Sequence, residues 1–83
     1  MSLEYYKKQM VDLRAKLQKE KDAKKNDNER YAALVKGASS PSSKAYYRKS
    51  KIDHAASHDR QIESIKRQIE TCKDNIARER KRK

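Results

Sequence analysis

Glycine, proline and cysteine occur once each in this 83-residue chain, and tryptophan and phenylalanine do not occur at all. A single cysteine cannot form an internal disulfide framework, so nothing ties the chain to an oxidising compartment. With 34% hydrophobic against 42% charged residues and no large apolar aromatic, the composition does not suit an ordinary globular core. No apolar run approaches the length of a signal-peptide core or a membrane span. That predicts a soluble chain without a cleaved leader, cytoplasmic or exported by a route that needs none. The scarcity of glycine and proline leaves long stretches with nothing to interrupt a helix.

Apolar residues, though few, are spaced regularly. Leu3, Tyr6, Met10, Leu13 and Leu17 alternate steps of three and four, the a/d seam of a helix packed on another helix. The same phase continues through Glu20, Lys24 and Asp27 to Tyr31 and Leu34. A second seam runs through Ile62, Ile65, Ile69, Cys72 and Ile76 and, traced backwards, through His58, Ala55, Lys51 and Arg48. Both arms are rich in helix formers. Acid-then-base pairs four residues apart add local support: Glu4 with Lys8, Asp12 with Lys16, Glu20 with Lys24, Glu63 with Arg67 and Asp74 with Arg78.

The single glycine and proline fall between the arms, in KGASSPSSKAYYRK. Gly37 suits a left-handed helix end, and Ser40 before Pro41 reads as an N-cap followed by proline at the first helical position. The expected fold is all-α: one helical hairpin with a helix over about 2–36, a turn at 37–40, a second helix over about 41–79 and a basic tail at 78–83. Reversal at Gly37 sets Leu3 against Ile76, Tyr6 against Cys72, Met10 against Ile69, Leu13 against Ile65 and Leu17 against Ile62. It also sets Glu20 against His58, Lys24 against Ala55, Asp27 against Lys51 and Tyr31 against Arg48. An antiparallel coiled coil with one thin apolar half seldom stands alone. The seam residues Leu3, Tyr6, Met10, Leu13, Leu17, Ile62, Ile65, Ile69 and Ile76 are therefore candidates for binding a second copy or a helical partner. Off-seam Tyr5, Val11, Ala32, Ala33, Val35, Tyr47, Ile52 and Ala56 widen that surface.

Charge supplies a second candidate. The formal net charge of +11 suits an acidic surface, nucleic acid included. Lys44, Tyr46, Tyr47, Arg48, Lys49 and Lys51 combine cations with aromatics and include no acid, the residue types that hold single-stranded nucleic acid by phosphate pairing and base stacking. Arg78, Arg80, Lys81, Arg82 and Lys83 form a basic tail. The plainer reading makes the tyrosines packing residues and the lysines a solvated face, and a basic last turn also suits the helix dipole.

No reaction is encoded. His54 and His58 share a helix face at a spacing that zinc can use, but Ala55 stands where a metalloprotease helix carries its catalytic glutamate. A polar seam histidine at His58, with His54 one turn before it, is the reading, and no metal or cofactor is expected. Cys72 reads as a small buried apolar group, four helical turns from His58 and so no nucleophile partner for it.

In length, two-helix plan and glycine-bearing turn, with Ser2-Leu3-Glu4-Tyr5-Tyr6 at the start and Val35-Lys36-Gly37 at the bend, the chain resembles the small helical-hairpin proteins of type VII secretion: the WXG-type family and the partners of LXG toxins. The resemblance implies a targeting partner for a secreted toxin. The turn keeps the glycine without the tryptophan, and no aromatic follows Tyr47, so no export signal or site residue is carried over.

Overall fold

The structure, a computed structural model, describes residues 3–82. It is an antiparallel helical hairpin of α1 (Leu3–Gly37) and α2 (Pro41–Lys81), a rod of 65 × 14 × 12 Å. No strand occurs among the described residues. The reversal is built by Ser40 and Pro41. Proline at the start of α2 bars the preceding residue from helical backbone, and Ser40 is extended, with φ −118° and ψ 152°. The Ser40 hydroxyl accepts a hydrogen bond from the Ser43 N–H at 3.1 Å and satisfies one of the unpaired donors of the first turn. Gly37 does not adopt the left-handed conformation expected of it. It is the last residue of α1, no glycine has positive φ, and the Ala38 N–H closes a tightened last turn on the Val35 carbonyl at 3.3 Å. Open space lies where a Cβ at Gly37 would point, so the bend depends on the Ser-Pro pair.

The core occupies one half of the rod. Among the described residues Met10, Leu13, Ile62, Ile65, Ile69 and Cys72 are the buried hydrophobic ones; all but Ile62 form one cluster, with Tyr6, Leu17 and Ile76 packed against it. Cys72, 2% exposed, directs its thiol to the Tyr6 carbonyl at 3.1 Å, which matches the register expected from the seams. Between Leu13 and Ile62 no described residue is buried. The turn-proximal half is joined instead by polar contacts and by the half-buried Tyr31, Val35, Tyr47 and Ala55.

There the register departs from the sequence pattern. Leu34 is 39% exposed and Arg48 is exposed, while Val35 and Tyr47 take the half-buried positions. On α1 the inward face steps from Asp27 to Tyr31 and Val35, and Ala38 follows just beyond the helix. On α2 it steps from Ala55 to Lys51, Tyr47 and Lys44. Both helices make two consecutive steps of four, which restores the 3.6-residue period of a straight helix. A strict heptad drifts by about 20° per repeat unless supercoiling corrects it, and past Leu17 no fully buried apolar layer among the described residues holds the supercoil. Two expected pairings are corrected with it: Asp27 meets His58 and Arg30 rather than Lys51, and Tyr31 meets His54 rather than Arg48. The five acid–base pairs expected, three on α1 and two on α2, are not closed among the described residues. Lys24 reaches across to Asp59 at 2.5 Å instead, an exposed contact of small energetic value.

Candidate interaction surfaces

The seam residues named above are spent within the hairpin. Met10, Leu13, Ile62, Ile65 and Ile69 are buried against the opposite helix, and Leu3, Tyr6, Leu17 and Ile76 are half-buried around them. A partner can reach them only if the hairpin opens. What remains for a closed hairpin is the flanks, where Tyr5, Val11, Tyr46 and Ile52 are exposed.

The middle of the rod carries a polar bridge. His58 from α2 lies between two carboxylates of α1, with Nδ1 2.6 Å from Glu20 Oε1 and Nε2 2.6 Å from Asp27 Oδ2. A neutral imidazole has one N–H, so donating to both oxygens requires the imidazolium. Hydrogen bonding to Asp27, then to Glu20, raises the His58 pKa above its ordinary value against the opposing effect of burial. The same bond to His58 lowers the Asp27 carboxyl, with the charge of Arg30 assisting against desolvation. Asp27 also accepts from Arg30 at 3.0 Å and lies 3.7 Å from His54 Nδ1. The Tyr31 hydroxyl and His54 Nε2 are in hydrogen-bond contact at 3.1 Å, with the rings 5.0 Å apart. Among the described residues no three His, Cys, Asp or Glu side chains are placed to hold a metal ion. The Glu20–His58 contact was legible from the seams. Asp27 was not, because it lies two turns from Glu20 and converges on the same ring only through side-chain reach.

The basic candidates separate into two groups. Arg48, Lys49 and Tyr46 are exposed near the turn, while Lys44, Tyr47 and Lys51 are half-buried there. Tyr46 and Tyr47 meet edge to face at 5.5 Å. Arg78, Arg80 and Lys81 lie on the last turns of α2, with Arg82 just beyond, 3.7 Å from Glu79. Lys83 lies outside the described residues. At 1.5 Å per residue the two groups are about 50 Å apart, so they cannot form one compact site.

Two shallow grooves run between the helices. One, beside the core, is lined by Tyr5, Tyr6, Gln9, Gln68, Thr71 and Asn75 among others. The other, toward the turn, is lined by Lys24 and Asn28 of α1 and Arg48, Lys51, Ile52 and Ala55 of α2. Sequence reasoning had Ile52 as off-seam and Arg48 and Lys51 as basic candidates, but it did not bring them together. Among the described residues no helix is long and apolar enough to cross a membrane. No family model, curated protein or solved structure matches the chain.

Proposed function

We propose that this chain is a non-enzymatic interaction protein, a helical hairpin whose working form includes at least one further helix from a second copy or a helical partner. The supporting observation is the imbalance of the rod. Among the described residues the buried ones are confined to Met10–Leu13 and Ile62–Cys72, while Val11, Tyr46 and Ile52 remain more than half exposed. Two helices with so short a core gain little against the entropy of ordering 83 residues, and another helix laid on the flanks supplies the missing apolar contact. A small partner or targeting factor for a secreted toxin, as the type VII resemblance implies, is one form of this reading.

Sedimentation equilibrium and thermal melts over a wide concentration range test it, with and without co-expression of proteins encoded beside it. Association, or a melting temperature that rises with concentration or with a helical partner, is the expected result. A monomer of high, concentration-independent melting temperature that no such protein stabilises overturns it.

A second reading, nucleic-acid binding, draws on one observation: residues 30–52 contain no acid, and the exposed Tyr46 stands among their cations. Its mark would be a steep loss of affinity with salt, which an apolar helix interface does not give.

A further inference from the structure

We propose that the turn-proximal groove, between Lys24 and Asn28 of α1 and Arg48, Lys51, Ile52 and Ala55 of α2, docks an acidic amphipathic helix of a partner protein. The inference rests on the helical-partner reading and adds the surface and the partner's chemistry.

The apolar part of the groove's lining is unused. Ile52 is 68% exposed, on a helix whose Ile62, Ile65 and Ile69 are all buried, and Ala55 lies beside it facing α1. The rim is cationic and unsatisfied. Among the described residues neither Arg48 nor Lys51 forms an ion pair, and no acid stands between Glu29 and Asp53 to provide one. Lys24, on the opposite rim, is held only by the exposed Asp59. An occupant complementary to this surface places apolar side chains on Ile52 and carboxylates against Arg48 and Lys51. A helix with apolar residues at i, i+3, i+4 and i+7 and glutamates beside them does both, because a groove between antiparallel helices accepts one apolar stripe along its length.

The same geometry disfavours a nucleic acid in this groove. Stacking needs an aromatic platform among the cations, and neither Tyr46 nor Tyr47 lines it; the two rings meet each other instead. Proximity to the weak half of the hairpin adds a consequence. A third helix here would supply apolar contact where, among the described residues, α1 and α2 bury none between them and only half-bury Tyr31, Val35, Tyr47 and Ala55.

The test uses the full chain and fluorescence anisotropy with a labelled synthetic peptide of about 20 residues, carrying Leu at helical a/d spacing and Glu elsewhere. A scrambled peptide of equal composition and an oligothymidine of similar charge serve as comparators. The amphipathic peptide is expected to bind at least about tenfold more tightly than the scramble, and Ile52→Ser to weaken it by about tenfold or more. Lys51→Glu is expected to weaken binding and reduce its salt response. Both positions are off the core, and unchanged circular dichroism confirms that the variants fold.

Equal binding of the scramble overturns the proposal. So does an oligothymidine that binds more tightly, with steep salt dependence and indifference to Ile52→Ser. A peptide that binds normally to Ile52→Ser also overturns the groove assignment, yet leaves helix binding standing at another surface. No peptide binding by a chain that is also a concentration-independent monomer removes both readings.

Discussion

Replacing one isoleucine at a time in α2 tests the division of the rod into a packed half and a bare half. Ile65 is 4% exposed and sits in the cluster of Met10, Leu13, Ile69 and Cys72; Ile52, on the same helix, is 68% exposed. Ile65→Ala removes roughly three carbons at about 0.8 kcal/mol each, or about 2.4 kcal/mol of transfer free energy. A cavity term adds to this, but a two-helix layer open on both sides collapses readily, so the total belongs near the low end of the ~2–5 kcal/mol range for such truncations. At 0.05–0.15 kcal/mol per residue, a chain of 83 residues has roughly 4–12 kcal/mol in all, and a core this thin places it low in that range. The expected fall in melting temperature is roughly 10–25 °C, since each kcal/mol moves a domain of this size by about 4–8 °C. Ile52→Ala in the isolated chain should change stability by less than about 0.5 kcal/mol, because alanine's better helix propensity offsets the little packing lost. Thermal melts by circular dichroism at one concentration read both. Equal losses for the two variants, or a larger loss at Ile52, would refute the assigned packing.

The polar bridge makes stability pH-dependent. His58 is raised from 6.5, so its contribution is complete below 6.5 and is lost as pH rises through the higher folded value; Asp27 is lowered from 3.8, so its contribution is complete above 3.8 and is lost as pH falls through the lower folded value. Denaturation midpoints should therefore decline on the alkaline side of 6.5, with Glu20, His54 and Arg30 sharing the site, and His58→Gln should abolish that decline; an unchanged alkaline limb in the variant would remove the bridge. Ser40→Ala should cost about 0.5–2 kcal/mol by chemical denaturation through loss of the cap on Ser43 N–H, whereas Gly37→Ala should be neutral or stabilising, since Gly37 has no positive φ and open space around it. Spin-label pairs at residues 10 and 69 should report close approach in a closed monomer, and long distances in a dilute monomer would exclude the hairpin.

The hairpin was legible because two kinds of signal agreed. The three-four spacing of Met10, Leu13 and Leu17 and of Ile62, Ile65 and Ile69 set the phase of each helix, and the segment from Gly37 to Pro41 marked where the chain turns, although Ser40 and Pro41 rather than the glycine build the reversal. Apolar positions carry phase reliably because a wrong rotation exposes them. Glu20, Lys24 and Asp27 carry it weakly, because long polar side chains satisfy themselves across a full turn in either direction. Glu20 and Asp27, two turns apart, accordingly converge on one imidazole, and the Lys24 ammonium reaches past Ala55, with which it lines a groove, to Asp59. For the same reason the heptad extrapolated to Leu34 and Arg48 fails at the turn: without fully buried layers to hold the supercoil, the helices return to their straight period, and Val35 and Tyr47 rotate inward. That rotation also shapes the candidate site. Carrying Arg48 off the seam leaves its guanidinium on the groove rim beside Ile52, so the cationic groove exists because the coiled-coil pattern lapses there.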